Sequence, residues 1–259
     1  MPRAMRLAWL LALSVAVPAA GADLTADEVR ALVRAAKPGQ SIDLEKKDLE
    51  KVDLSGLDLR RANLAGARLF GAKLVGADLS GANLAGATLD LAWLMRANFT
   101  GADLSSASLQ GLVVSSGLEI APGEVPVFAG ANFSGARVLA RLSRMDLRRA
   151  NFRGARMGAD MKNQSMGLMR MDFSSSDLSG ADLSGADLGR ASLRFAKLNG
   201  AMLAQASLVG ADLSGANLTG ADLTGAEVGE AEFGGAVLDG ARGLETLKGI
   251  ATARGLAPR

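Results

Sequence analysis

The chain contains no cysteine, no histidine and no tyrosine among its 259 residues. Without cysteine it can form no disulfide framework and offers no thiol nucleophile. Without histidine it lacks the base of the common serine triads and a ligand of most zinc sites. These absences exclude most hydrolytic and metal-dependent chemistry, so we predict that the chain is not an enzyme and carries no cofactor.

Neither sign of charge dominates once the first 22 residues are set aside. The sequence has 29 lysines and arginines and 27 acidic residues. Two of the arginines, Arg3 and Arg6, lie in the first 22 residues, which contain no acid, so 27 charges of each sign remain. The pI of about 9.1 for the whole sequence is therefore a poor guide to its surface, and we expect no nucleic-acid partner.

Residues 1–22 have the pattern of a secretory signal peptide. Arg3 and Arg6 precede an apolar run from Leu7 to Val17, and Ala20-Gly21-Ala22 supplies a cleavage site of small residues. The apolar run is too short to span a bilayer, and no cysteine follows it to carry a lipid. We therefore expect an exported protein, periplasmic or secreted, without a membrane span.

From Ile42 to Gln110 every fifth residue is a large apolar one, in most units leucine, and alanine usually stands two places before it. A period of five fits neither a helix nor a plain strand. In an extended stretch the leucine and that alanine point to the same side, and the fifth residue, often glycine, must turn the chain. Turning the same way in every unit gives a coil with leucine and alanine inside.

These units resemble the pentapeptide repeat family, whose usual form is Ala, Asp or Asn, Leu and two small residues. Ala77–Gly81, Ala181–Gly185 and Ala211–Gly215 all read ADLSG and match that form. The resemblance implies an all-β fold, a right-handed quadrilateral β-helix with four units per coil. About 35 units along the sequence would then make about nine coils.

The repeat and its interruptions predict seven segments. Thr25 and Glu28 form a capping box before an apolar helix face, and Leu244, Leu247 and Ile250 have helical spacing, so we predict short helical caps at both ends. The segments are a signal peptide (1–22), an N-terminal helical cap (23–41), a first stack of repeats (42–111), an irregular loop (112–130), irregular basic repeats (131–165), a second stack (166–240) and a C-terminal cap (241–259).

The irregular middle contains the candidate binding residues. From Arg137 to Arg170 the sequence has nine basic residues against two aspartates. Such a single-sign patch favours an anionic partner. We predict that binding residues for an anionic macromolecule or a protein are Arg148, Arg149, Arg153 and Arg156. The apolar loop Ser115–Phe128 is a second candidate surface.

Three other functions are alternatives to an exported, non-enzymatic scaffold. Methionine thioethers bind Cu(I), and the metal alternative would use Met161, Met166 and Met169. Met157, Met166 and Met171 fall on inward positions, however, which favours packing. A DNA mimic that protects gyrase, as in relatives of the family, requires a strongly negative surface that a neutral, exported chain lacks. A hydrolase is the third alternative, but the outward carboxylates recur with the repeat and are interpreted as a solvated surface.

Overall fold

Parallel backbone pairing at a spacing of 20 residues builds this molecule. The computed structural model describes residues 21–37, 39–117, 123–159 and 170–256. Its named elements are helix α1 (Ala26–Ala35), strand β1 (Ser108–Gln110) and strand β2 (Arg137–Leu139), with 3₁₀ turns at Leu244–Thr246 and Ile250–Thr252. The rest of the coil is made of isolated parallel bridges between residues that follow one another around four sides.

The bridges define four faces. Face 1 begins Asp43, Asn63, Asn83; face 2 begins Asp48, Arg68, Thr88; face 3 begins Asp53, Lys73, Trp93; and face 4 begins Asp58, Asp78, Asn98. Each coil therefore takes four five-residue units, and a residue on one face stacks on the residue 20 places earlier. The rows expected from the sequence, Asp58–Asp78–Asn98 and Asp172–Ser192–Asp212–Glu232, are confirmed.

The interior is filled by the leucine and alanine of each unit. Leu79 and Leu183 are 0% exposed, and Ala77 and Ala181 are 1% and 0% exposed. One apolar cluster runs from Val29 to Phe233 without a division. Because burial of apolar side chains is the main favourable term in folding, this continuous column holds each coil to its neighbours.

The outward aspartates and asparagines are hydrogen-bonded rather than merely solvated. Asp78 Oδ1 accepts the Ser80 backbone N–H at 3.0 Å, and this local bond recurs in many units. Asparagines also link coils: Asn83 Nδ2 donates to Asn63 Oδ1 at 3.2 Å, and Asn63 Nδ2 donates to Asp43 Oδ1 at 3.1 Å. The polar residue beside each leucine therefore fixes the turn that follows it and joins neighbouring coils.

Corner residues are left-handed, and long side chains there pack on glycines of the next coil. Leu91 has φ 59° and Phe195 has φ 55°. A Cβ atom on Gly111 would lie 2.7 Å from Leu91 Cδ2, and one on Gly215 would lie 2.5 Å from the Phe195 ring. Glycine at these corners therefore supplies positive φ and leaves room for the side chain beneath it.

The coil is interrupted twice, both times beside face 3. Fourteen residues separate Val113 from Val127, and sixteen separate Arg156 from Asp172, where a regular unit uses five. The extra residues lie between faces, so pairing resumes on the next one. Phenylalanines fill the interior here, with ring centroids 4.6–5.6 Å apart along Phe99, Phe128, Phe133, Phe152 and Phe173.

The two ends of the coil differ. At the N-terminal end, Thr25 and Glu28 form the capping box of α1, which buries Val29 in the core. At the C-terminal end no α-helix joins Leu244, Leu247 and Ile250, so the prediction of a helical segment there is wrong. The ladder instead continues through Arg242, Lys248 and Arg254 in six-residue units lengthened by the 3₁₀ turns, and their three-residue spacing imitates a helix.

A buried serine bridges the corner after Leu142, in the unit that follows the shortened one. In regular units the alanine N–H donates to the preceding leucine carbonyl, as Ala150 does to Leu147 at 3.1 Å. Met145 N–H donates instead to Ser176 Oγ at 3.2 Å, and Ser176 Oγ donates to the Leu142 carbonyl at 2.5 Å. Ser176 is 0% exposed and occupies an inward alanine position. Its hydroxyl group therefore bridges two backbone groups that bond directly to one another in regular units.

We expect Ser176→Ala to lower the free energy of unfolding by about 1–3 kcal/mol, because it leaves a buried donor and acceptor without partners. Ser184→Ala is the matched control, since Ser184 lies at a corner and its hydroxyl makes none of the hydrogen bonds found among the described residues. Urea denaturation of both variants measures the difference. Equal midpoints would contradict the bridging role.

Candidate anion-binding surface

The four predicted arginines wrap around two corners of the coil instead of lying on one face. Arg148 and Arg149 occupy the corner after Leu147, between faces 4 and 1. Arg153 lies at the next corner, between faces 1 and 2, and Arg156 lies on face 2 itself. All four are exposed. The structure thus brings them into one band around the coil, but a flat partner would meet only part of it at a time.

Arg148 is engaged by an aspartate of its own unit. Its Nε lies 2.8 Å from Asp146 Oδ1 and its Nη2 lies 2.6 Å from Asp146 Oδ2. The hydrogen bond from Arg148 holds the pKa of Asp146 below its ordinary value, and Asp146 raises the pKa of Arg148. The carboxylate therefore stays ionised and keeps this guanidinium occupied. Arg60 and Asp58 form the same chelate on face 4 near the N-terminal end.

An acidic row on the following coil reduces the excess of positive charge. Asp146, Asn151 and Arg156 bridge Asp177, Asp182 and Asp187, respectively. Arg153 Nη1 lies 3.7 Å from Asp182 Oδ2. Because the coils are stacked, charge counted along residues 137–170 overstates the charge of the surface that those residues form.

Face 2 carries two neighbouring arginines, with Asp187 on the coil that follows Arg156. Arg137 and Arg156 are bridged neighbours, so their side chains leave adjacent coils in the same direction. Both are exposed, and neither has a carboxylate within 4.0 Å among the residues that the structure describes. With Gly158 and Asp187 they line a cleft of about 350 Å³. Two adjacent guanidinium groups repel one another, and an anion between them would relieve that repulsion.

Arg137 is the member of this pair that the sequence analysis left out of the site. It lies 19 rather than 20 residues before Arg156, because the unit after Val138 is one residue short. The short unit is visible in the sequence. A unit that is one residue short changes the spacing between stacked outward residues from 20 to 19, which places Arg137 beside Arg156.

The second candidate surface, the loop Ser115–Phe128, lies partly outside the described residues, which omit 118–122. Its C-terminal end is packed, whereas Ser116, Gly117 and Gly123 are exposed. Phe128 is 0% exposed and stacks on Phe99, and Val125 packs against the core. Glu124 accepts hydrogen bonds from Ser115 Oγ at 3.0 Å and from Ser116 Oγ at 2.8 Å, and those with Ser116 hold its pKa below the ordinary value.

Some of the methionines singled out in the sequence are described by the structure and others are not. Met157 and Met171 are 1% and 0% exposed, which confirms that they pack in the core. Met161, Met166 and Met169, the residues of the copper alternative, lie outside the described residues. Within the described part of the chain, no group of three acidic side chains is placed to hold a metal ion.

The helices among the described residues include none long and apolar enough to cross a bilayer. The predicted signal peptide lies almost wholly outside the described residues, which begin at Gly21.

The family model for pentapeptide repeats matches the chain in 8 copies, over residues 42–74, 72–111, 127–163, 168–190, 186–225 and 216–242. The chain therefore belongs to the pentapeptide repeat family, as the ADLSG units predicted. Proteins of this family form right-handed β-helices, which agrees with the four parallel ladders described above.

Solved structures of the family are similar to this chain. HetL, a pentapeptide repeat protein involved in heterocyst differentiation regulation in the cyanobacterium Nostoc, is 32% identical, with 84% of this chain and 94% of HetL covered and a TM-score of 0.35. A pentapeptide repeat protein of the Arabidopsis thaliana thylakoid lumen is 30% identical over 40% of this chain and 66% of its own, with a TM-score of 0.34. QnrB1, a plasmid-mediated fluoroquinolone resistance protein, is 21% identical over 82% and 93%, with a TM-score of 0.34. No curated protein matches the chain.

If Asp146 restrains Arg148, then Asp146→Asn should strengthen binding of an anionic polymer. Releasing one exposed ion pair corresponds to about a two- to fivefold gain in affinity for heparin. Asp58→Asn is the matched control because it opens the same chelate, on Arg60, and changes net charge equally, on a distant coil. Heparin titrations at one salt concentration compare the two. An equal gain in both variants would show that only net charge matters.

Proposed function

We propose that this protein is an exported, non-enzymatic scaffold that holds an anionic macromolecule on a basic band of its β-helix. One observation carries the proposal: Arg137 and Arg156 stand on adjacent coils of face 2 with no carboxylate within ion-pair distance among the described residues. Arg149, at the corner between faces 4 and 1, extends the band one face further around the coil.

The frame that holds these arginines favours binding without rearrangement. The backbone of Arg137 donates to the Ala107 carbonyl at 2.8 Å, and that of Arg156 donates to the Ala136 carbonyl at 2.8 Å. Inward neighbours Ala136 and Ala155 are fully buried. The side chains are therefore displayed by fixed backbone, and association costs less conformational entropy than it would on a loop.

The finer architecture belongs to the same proposal. We infer a right-handed four-sided coil of about nine turns, with α1 covering the first coil so that its open edge does not pair with another chain. The long axis gives a linear polyanion a regular surface, with outward positions repeating at the spacing of paired strands, about 4.8 Å.

We expect Arg137→Ser combined with Arg156→Ser to weaken heparin binding about tenfold at low salt and to flatten its dependence on salt, because fewer counterions are exchanged. Both residues are outside the core, so thermal stability should change little. Extending the substitutions to Arg148, Arg149 and Arg153 should weaken binding further. Titrations at low and high salt, with thermal melts alongside, measure both effects.

The control is Arg60→Ser combined with Arg68→Ser, which removes two arginines that are already paired with carboxylates. The control should bind heparin nearly as the parent does. Unaltered affinity of the face 2 double variant at both salt concentrations would reduce the cluster to a solvated surface. The Ser115–Phe128 loop would then become the leading candidate.

Export is tested separately. Removing residues 1–22 should retain the protein in the cytoplasm, because the charged start, the apolar run and the small-residue site are lost together. Cell fractionation of the full-length and shortened chains, with a cytoplasmic marker as control, decides it. Equal amounts of both chains in the exported fraction would overturn the signal-peptide prediction.

A further inference from the structure

Face 3 contains a groove where two neighbouring coils separate. Val113 bridges Trp93 on one side, and Arg141 bridges Asp172 on the other, but no bridge joins Val113 to Arg141. The last backbone bond before the gap is from Gly111 N–H to the Leu139 carbonyl, at 2.9 Å. The opening has a volume of about 700 Å³, within the range of about 300–1,000 Å³ for small-molecule sites.

The floor of the groove is the apolar interior of the coil. Leu112, Val114 and Ala140 hold inward positions yet are 8%, 5% and 7% exposed. The inward leucines of the same face on regular coils, Leu94 and Leu193, are 0% exposed. Solvent therefore reaches the core at this gap, and a ligand that covered these side chains would remove apolar surface from water.

One wall of the groove is positively charged. Arg141, Arg170 and Arg194 line it, with Asp172 as the single acidic residue among the lining side chains described. Arg170 is exposed and has no carboxylate within 4.0 Å in the described part of the chain. Arg194 is shared between Asp212, at 3.2 Å, and the ring of Phe195. The wall also offers hydroxyl groups, since Ser174 Oγ and Ser192 Oγ lie 2.8 Å apart.

The opposite shoulder is apolar and exposed. Leu91 and Trp93 are 48% and 42% exposed, and they lie on the coil before Val113. Leu91 packs on Gly111, and Trp93 bridges Val113; Gly111 and Val113 both line the groove, so this apolar shoulder adjoins the opening. An apolar floor and shoulder facing a cationic wall match a molecule with an apolar chain and an anionic head.

We propose that the face 3 groove binds a linear aliphatic carboxylate, with its chain over Leu112, Val114 and Ala140 and its carboxylate between Arg170 and Arg194. The charge of the wall selects the anionic head, because a charge-assisted pair with a guanidinium group is stronger than a neutral hydrogen bond. The exposed apolar floor favours an aliphatic chain on the ligand, because contact with it removes apolar surface from water. This site is separate from the face 2 arginines, so it stands or fails independently of the proposed function.

Trp93 provides a local reporter. The two tryptophans are Trp9 and Trp93, so the full-length chain with Trp9→Phe has one tryptophan, beside the groove. Titration with dodecanoate below its micellar concentration should shift Trp93 emission to shorter wavelength in a saturable, one-site manner. Dodecanol at equal concentration should bind at least tenfold more weakly. Equal binding of the two ligands, or no saturable shift, would overturn the proposal.

A pair of variants tests the residues. Arg170→Ser combined with Arg194→Ser should weaken dodecanoate at least tenfold and leave dodecanol unchanged, because only the carboxylate contacts are lost. Arg34→Ser combined with Arg242→Ser removes two exposed arginines away from the groove and should bind as the parent does. The same loss in both double variants would indicate a response to net charge alone and contradict a defined site. Thermal melts of the two verify that both remain folded.

Discussion

Backbone pairing between stacked coils is the constraint on which everything else in this molecule depends. Each unit must return the chain to the same face after 20 residues, because the N–H and C=O groups of an extended segment require partners. Inward leucine and alanine return the chain to the same face by packing at one fixed depth. Left-handed corners contribute by turning the chain after each leucine. The outward residue varies more widely, as Asp78, Lys73 and Trp93 show, so the surface can change while the frame stays constant.

The same constraint determines where irregularity is tolerated. Both insertions lie between faces, after Val113 and after Arg156, where extra residues can leave the coil without displacing the next bridge. The shortened unit before Leu142 is different, because a missing residue cannot be accommodated outside the coil. In the next unit, Ser176 supplies a hydroxyl group where the direct bond from Met145 N–H to the Leu142 carbonyl is lost. A buried polar group is retained here because two backbone groups need it.

How much of this could be predicted from the sequence follows from the range of each interaction. The inward phase and the rows within regular stacks depend on spacing alone, and Met157 and Met171 are buried where the repeat predicted them. The position of Arg137 beside Arg156 depends on a slip of one residue, and that of Asp187 above Arg156 depends on an insertion. These contacts between coils therefore depend on the residue at which regular pairing begins again after an irregular unit. The spacing of Leu244, Leu247 and Ile250 predicted a helix for a related reason. Six-residue units and a helix both place apolar residues about three positions apart.

Both proposed sites occur where the repeat departs from its rule. In the regular stacks an outward cation can stand beside a carboxylate of the neighbouring coil, as Lys197 stands beside Asp177. The gap between Val113 and Arg141 exposes Leu112 and Val114, whereas Leu94 and Leu193 on other coils of face 3 are covered. The adjoining pair on face 2 brings together two cations that ordinary pairing would separate. Each departure costs stability, in exposed apolar surface or in like-charge repulsion. A ligand recovers that cost only if its chemistry matches the defect, an apolar chain with an anionic head on face 3 and a polyanion on face 2.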